Sequence, residues 1–349
     1  MKEFTVEFLF DPLKNSYLRD VTIEIDDNNL IHQISQKPST KKLRGFFTAG
    51  LINMHTHLEF SWMKGYIPPY KRMPFFIDKM REIHQLTITL KEKEALAQHT
   101  IEKNIQEGTA FFVDICNTFL HEKNKYSDFF INFIELFGTD ILQAEKRIKE
   151  ATKLYERYKN FTSQTYYTPH TLFTLSEPLW NFLLPKLNDQ PFYSIHFMES
   201  EHEISILKDP AQVAIEQLPH EVRVFFVHNT FMDEKSLKKI LAHFSDPWFV
   251  LCPRSNYYIE KKFPPVDFLK YHCEDRIVLG TDSMASNWSI SLWKEIEFLR
   301  RHFPHISLDY WLKAATLHAA KALRIDHILG RVEIHKKAFI AKIPTFLIT

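Results

Sequence analysis

The first 45 or so residues alternate apolar and polar side chains, as in Phe4-Thr5-Val6-Glu7-Phe8 and Val21-Thr22-Ile23-Glu24-Ile25, with Asp11-Pro12 and Asp26-Asp27-Asn28-Asn29 between them. A period of two bounded by turn residues predicts half-buried strands, so the chain opens on a small β unit. From residue 50 the pattern changes to eight short apolar runs, at 51–54, 109–115, 130–137, 165–168, 192–197, 223–227, 248–251 and 277–279. Long charged segments with helical spacing separate them, among them 90–107 (stopped by Gly108), 140–159, 233–244 and 290–302. Eight buried runs alternating with amphipathic helices predict an α/β chain whose parallel strands close into a (β/α)8 barrel. A last helix is expected at 307–323, and the tail 330–349 returns to strand-like alternation. The expected organisation is therefore a small discontinuous β unit, 1–48 with 325–349, flanking a barrel at 49–324.

Composition removes several function classes. Lys and Arg total 44 against 43 Asp and Glu, a formal charge of +1, so there is no cationic surplus to neutralise a nucleic acid backbone. Apolar stretches such as 129–137 fall far below the roughly 20 residues that span a bilayer, which removes the membrane as a partner. Met1-Lys2-Glu3 leads into no signal-type apolar core, and three cysteines without a Cys-x-x-Cys pair form no disulfide framework, so the expected setting is the cytoplasm. Seven glycines include no Gly-x-Gly-x-x-Gly or Walker-type run, and the nucleotide-binding fingerprints are missing. Charge runs such as 91–94 and 261–262 read as solvated faces. Histidine, present in 18 copies, is the residue in excess.

In a barrel of this kind chemistry gathers at the carboxyl ends of the strands. The residues that follow the runs are His55 and His57 after the first, His170 after the fourth, His196 and Glu199 after the fifth, His228 after the sixth and Asp282 after the eighth. The His-x-His pair is weak by itself, since roughly one such pair is expected by chance in a chain this long. Its place matters more: residues two apart on a strand point the same way, so a strand reaching His57 turns both imidazoles inward. With His196 and Asp282 they make a mixed nitrogen and oxygen set suited to Zn²⁺ or Fe²⁺, with room for a water. A bound divalent ion lowers the pKa of its water to about 7, which points to hydrolysis. Glu199 then reads as a proton donor and His228 as the group that holds the hydroxide by a hydrogen bond, while each taken alone is more often a satisfied buried polar group or a surface residue. Asp114 reads either as an orienter of a ligand histidine or as the partner of a backbone amide. Cys116 and Cys252 read as small buried hydrophobes rather than catalytic thiols.

The motifs Ala49-Gly50-Leu51-Ile52-Asn53-Met54-His55-Thr56-His57, Pro169-His170, His196-x-x-Glu199, Val227-His228-Asn229 and Leu279-Gly280-Thr281-Asp282-Ser283-x-Ala285-Ser286-Asn287 together resemble the amidohydrolase superfamily, in its branch of mononuclear deaminases and chlorohydrolases. The resemblance runs from the opening β unit to Gly330-Arg331-Val332-Glu333 and implies a TIM-type barrel. It implies that His55, His57, His196 and Asp282 hold one divalent ion, zinc usually and iron in some members. By the same resemblance Glu199 protonates a ring nitrogen, His228 polarises the attacking water, and Asp282 takes the water proton and passes it to the leaving amine. His170 and Ser283 would contact the substrate. The fourth strand end carries Tyr167-Thr168-Pro169-His170, without the lysine or acid that binuclear members use there.

The segments His57-Leu58-Glu59-Phe60-Ser61 and Leu251-Cys252-Pro253-Arg254-Ser255-Asn256 are similar to aminodeoxyfutalosine deaminases of menaquinone biosynthesis, which convert a 6-aminopurine nucleoside to its 6-oxo form. That similarity implies that Glu59 holds a ribose hydroxyl and that a cation, Arg254, Arg72 or Lys64, meets the substrate's benzoate; each is also readable as a surface charge. The stretch 62–76, rich in aromatics and proline, reads as a lid or a subunit contact. Removal of chloride from triazines, hydrolysis of formimino or guanidino groups, and a non-catalytic metal-containing binding protein stay open as alternatives. The tail departs from the family pattern at Ile334-His335-Lys336-Lys337-Ala338-Phe339, and the small β unit is expected to be shortened. Small molecules are the expected partners, with a homodimer the assembly common among relatives.

Overall fold

A computed structural model describes residues 2–86, 88–162 and 164–348, without the side chains of Glu122 and Asn124. The chain divides into two compact units, Met1–Asn53 with Glu102–Phe111 and Ser291–Thr349, and Met54–Ile101 with Phe112–Ile290.

In the first unit the alternating segments form β1 (Lys2–Asp11), β2 (Ser16–Ile25), β3 (Ile31–Ser35) and β4 (Lys42–Ala49). Asp11 closes the β1–β2 turn by accepting the N–H groups of Leu13 and Lys14, and Asp26 does the same for Asn28 and Leu30 before β3. The inward positions Val6, Leu9, Val21, Ile23, Ile31 and Phe47 form the core of this sheet. The tail corrects the expectation of continued alternation. Among its described residues only Ile340–Lys342 is a strand, antiparallel to β4, and Thr345–Ile348 is helical. Positive φ at Gly330 (+90°) and His335 (+71°) turns the chain, and Pro344 follows too closely for the strand to lengthen. The helix expected at 307–323 is also two, Leu308–Ala315 and Leu317–Ala322, broken where Thr316 takes φ −130° and ψ −86°. Gly108 ends the helix Leu90–Gln106 at φ +100°, where a Cβ would meet that of Ala341 at 2.4 Å.

The barrel strands are β5 (Leu51–His57), β6 (Thr109–Cys116), β7 (Phe130–Leu136), β8 (Thr165–Pro169), β9 (Phe192–Phe197), β10 (Arg223–His228), β11 (Pro247–Leu251) and β12 (Ile277–Leu279). They pair in parallel in two runs, β5-β6-β7-β8 and β9-β10-β11-β12. Side chains and strand ends close the gaps between the runs. The Thr168 hydroxyl accepts the Ser194 N–H at 3.0 Å and donates to the Ser194 carbonyl, while the His196 N–H reaches the His170 carbonyl at 3.0 Å. Across the other gap the Thr281 N–H donates to the His55 carbonyl at 3.0 Å, and the short strand Asp282–Ser283 lies beside Thr56 and His57. Gly280 permits this approach, because a Cβ there would come within 2.8 Å of the His55 Cβ. Near-continuous burial along β5, β6, β7 and β9 explains why these strands read as apolar runs rather than alternating ones. Among the described residues no helix is long and apolar enough to cross a membrane.

Candidate active site and metal centre

β5 extends three residues past the apolar run, to His57, so His55 and His57 leave the same face and both are buried. His196 comes from the end of β9, His228 from the end of β10, and Asp282 from the short strand after β12. The Nε2 atom of His196 lies 3.2 Å from that of His55 and 3.3 Å from that of His57. Asp282 Oδ1 lies 3.7 Å and 3.5 Å from the same two nitrogens of His55 and His57. Four atoms bound tetrahedrally to one ion at about 2.0–2.1 Å stand roughly 3.3 Å from one another, so the spacing suits a shared cation. The tautomers agree with it. His196 Nδ1 donates to the His170 carbonyl at 3.0 Å, which leaves its Nε2 lone pair facing the other imidazoles. Burial first, and the neighbouring imidazoles second, lower the pKa of His57 to about 3 and that of His196 well below the usual range, so these rings are neutral donors.

His228 stands beside this set, its ring 5.3 Å from that of His196. Its Nδ1 donates to Asn256 Oδ1 at 2.8 Å, so Nε2 carries the lone pair, 3.4 Å from Glu199 Oε1. His55, His196, His228 and Asp282 also offer ligand atoms within 4.8 Å of one another, and so do Glu135, His170 and His196. Backbone strain collects here, with positive φ at Met198 (+50°), His228 (+76°), Asn229 (+55°) and Asp282 (+58°). Such conformations cost of order 1–3 kcal/mol each and persist where surrounding bonds over-determine them. Asn229 Nδ2 donates to the Phe226 carbonyl at 2.8 Å, and Asn287 Nδ2 to that of Thr281 at 2.8 Å.

Two carboxyl groups at this centre are driven to opposite states. Burial would raise Asp282, but the His55 hydrogen bond and the charges of His228 and His57 outweigh it and hold it well below the usual carboxylate range. Its Oδ2 also accepts from the hydroxyls of Ser255, at 2.6 Å, and Ser286. Glu199 is pushed well above that range by burial and by the negative charges of Asp282 and Glu260. The Glu199 main chain is held from behind: Glu203 accepts the N–H groups of Met198 and Glu199 at 3.0 and 2.9 Å, while Ser200 caps the helix Glu201–Leu207. Paired acids with divergent pKa values are the arrangement acid–base chemistry requires.

The β6 to β8 side of the centre is acidic and enclosed. Asn117 donates its N–H to both oxygens of Glu59 and its Nδ2 to Glu135, whose other oxygen stands 3.6 Å from His196 Nδ1. Burial raises Glu59 to about 7 and Glu135 to about 8. Burial likewise raises Glu203 to about 8. His170 is bonded through Nδ1 to the Thr174 hydroxyl at 3.0 Å, and its pKa falls to about 4 by burial. These shifts set a stability profile. Acids raised above 4.5 stabilise the fold when protonated, and that contribution is lost as pH climbs through 7 and 8; histidines lowered below 6.5 destabilise it only below that value. The metal-free protein is therefore expected to melt highest near about pH 6.5 and to lose a few kcal/mol toward about pH 8.5. Thermal denaturation with a chelator present measures this, and a Tm that rises across the interval contradicts the assignment of these acids as buried and protonated.

Other predicted residues sit elsewhere than in the imidazole cluster. Ser283 faces the turn that holds Asp282, its hydroxyl 2.9 Å from that of Ser286. Arg254 is buried against the loop after Asp282, donating to Ser289 Oγ at 2.9 Å with its guanidinium 5.5 Å from the Trp288 ring centre. Arg72 is exposed and paired with Glu201 at 2.8 Å, and Lys64 is exposed. The stretch 62–76 is helical at both ends, Leu58–Met63 and Arg72–Ile83, and Tyr258 ties its middle down through the Ile67 carbonyl and the Tyr70 N–H. Cys116 and Cys252 are buried and form no disulfide. Of the two roles weighed for Asp114, it makes the backbone one, accepting the Leu58 N–H at 2.9 Å and the Thr56 hydroxyl at 2.9 Å. Ser255 and Asn256 belong to the motif Leu251–Asn256, whose pattern gives them no role; Glu203, Glu135, Asn117 and Lys123 carry no sequence signal beyond being polar.

A buried cluster of imidazoles and carboxylates at the strand ends of a β/α barrel defines a hydrolase of the metal-dependent kind. Residues 46–345 match the Amidohydrolase family, and the chain belongs to it. It is 26% identical over 317 residues to a 5-methylthioadenosine/S-adenosylhomocysteine deaminase of Saccharophagus degradans, covering 84% of this chain and 70% of that one. The fold is shared with an aminofutalosine deaminase of Helicobacter pylori in complex with methylthio-coformycin, at TM-score 0.80, 20% identity, and coverage of 97% and 91%. An adenosine deaminase of Xanthomonas campestris with bound zinc has the same fold at TM-score 0.79, 18% identity, and coverage of 97% and 83%.

Proposed function

We propose that this chain is a hydrolytic deaminase of an aminopurine nucleoside, replacing a 6-amino group with oxygen and releasing ammonia, with aminodeoxyfutalosine the particular substrate. The observation that carries the reading is the meeting of the His55, His57 and His196 imidazoles and Asp282 within about 3.2–3.7 Å, beside a buried Glu199 whose pKa is raised while that of Asp282 is lowered. Deaminases of methylthioadenosine and aminofutalosine among its relatives support it.

In this reading His55, His57, His196 and Asp282 would hold one divalent ion, zinc in first place and iron in second. When bound, such an ion would supply the Lewis acidity that makes water a nucleophile at neutral pH. Asp282 accepts the proton of the attacking water and hands it to the departing amine. His228 Nε2 takes a hydrogen bond from that water, its direction set by the Asn256 bond on the opposite ring nitrogen. Glu199 gives its proton to the purine nitrogen next to the reacting carbon, where negative charge would otherwise build, and regains one from the hydroxyl on that carbon as the carbonyl forms and the amine leaves. His170, Glu59 and Ser283 line the substrate, with Glu59 toward a sugar hydroxyl, and Arg254 faces an acidic tail. A separate β unit (1–48 and 325–349) and a hydrolase barrel (49–324), a cytoplasmic setting and a homodimer complete the proposal; near-balanced charge and three buried cysteines outside any disulfide accord with that setting.

The test is ammonia release by the zinc-loaded protein from adenosine, 5′-deoxyadenosine, methylthioadenosine, S-adenosylhomocysteine, aminodeoxyfutalosine, guanine and cytosine. Preference for aminodeoxyfutalosine by at least tenfold in kcat/KM is the expected result. Silence on every purine and pyrimidine with one equivalent of metal bound moves the substrate to a formimino, guanidino or halogenated-ring compound.

A further inference from the structure

Lys123 lies in the 3-10 segment His121–Phe129, and its side chain is only 3% exposed. Its ammonium donates to Asp114 Oδ2 and, at 2.6 Å, to Asn132 Oδ1, and stands 3.4 Å from Cys116 Sγ. The rings of Phe130 and Tyr158 flank it at 4.9 and 4.8 Å. Removing an ammonium from water costs several kcal/mol, so a buried lysine has to be matched by paired acceptors, and here they come from β6 and β7. The other oxygen of Asp114 accepts the Thr56 hydroxyl and the Leu58 N–H, both at 2.9 Å. Thr56 and Leu58 bracket His57. Side chains alternate along a strand, so Thr56 leaves β5 opposite to His55 and His57 and anchors the strand from outside while the imidazoles converge inside.

We propose that Lys123 is a positioning residue for the metal-binding histidines of β5, acting through Asp114; the inference rests on the metal reading given above. Lys123 compensates the Asp114 charge, which keeps both carboxylate oxygens available as acceptors. One oxygen holds the ammonium and the other fixes where β5 ends and the turn Leu58–Met63 begins. The pair carries no part of the reaction. It aims two of the four ligands, as outer contacts of a metal site do.

The test is the zinc dissociation constant of the full chain, by chelator competition, with folding followed by circular dichroism. Lys123→Met is expected to weaken zinc binding by about 10–100-fold, the range for lost outer-shell partners. Because an unpaired Asp114 can unfold that variant, two double variants complete the design. Asp114→Asn with Lys123→Met removes both charges but keeps an acceptor for the Leu58 N–H, and is expected to bind zinc within about threefold of wild type. Asp114→Leu with Lys123→Met is a neutral, apolar replacement without that acceptor, and is expected to bind at least about tenfold more weakly. Zinc affinity equal to wild type in both double variants, whatever their Tm, overturns the inference. A wild-type chain that binds no divalent metal overturns the metal reading itself and this inference with it.

Discussion

Replacing Asp282 by Asn is expected to lower kcat by about 10³–10⁴-fold at saturating zinc, because one side chain is asked to hold the ion and to move the proton. Asn keeps the size and one oxygen, so the fold around it survives. It loses the negative charge, which weakens the hold on a divalent ion, and it has no lone pair basic enough to take a proton from water. Its amide nitrogen would also confront the hydroxyls of Ser255 and Ser286, which now donate to Oδ2. Metal content and single-turnover rate should be measured on the same sample. Turnover close to wild type would remove Asp282 from the chemistry, whatever happened to the metal.

Glu199→Gln is the complementary change, expected to keep one equivalent of zinc while turnover falls by about 10²–10⁴-fold, the usual worth of a general acid. Glu199 faces His228 at 3.4 Å rather than the ligand set, and its main chain is held by Glu203, a contact that Gln leaves intact. The pH dependence supplies a second readout. Burial and the charges of Asp282 and Glu260 raise the Glu199 pKa, so the carboxyl keeps its proton to higher pH than an ordinary glutamate. Wild-type kcat/KM should decline as pH rises through that pKa, and the Gln variant should lack this limb. Loss of metal from Glu199→Gln would make the residue structural.

The pair of predictions separates two roles that the sequence placed in one line of strand ends. His55, His57, His196 and Asp282 were legible because each follows an apolar run, and a barrel brings the ends of its strands to one face. The inward direction of His55 and His57 together depends on the strand reaching His57, and β5 does reach it. The neighbours of Arg254 and Arg72, by contrast, were not readable from local pattern: the fold places Ser289 beside one and Glu201 beside the other. The second helix boundary at Thr316 and the turns after Gly330 were also beyond reach, since nothing in their local pattern differs from a continuous helix or strand.

What the sequence determined alone was periodic or local: eight buried runs separated by amphipathic helices, polar residues at the run ends, the caps and turns set by Asp11, Asp26 and Gly108, and a charge balance without a basic surplus. Those properties depend on neighbours within a few positions, and short-range sterics and burial are enough to establish them. The tertiary structure decided which nitrogen of each imidazole faces the centre, which of two carboxyl groups is ionised, and that Lys123 and Asp114 lie behind β5. Most of these turn on distances of about 3 Å between residues tens to hundreds of positions apart, and all on the low dielectric that burial creates around them. Hydrogen bonding and electrostatics act over that distance in space, and only the folded chain brings such residues together.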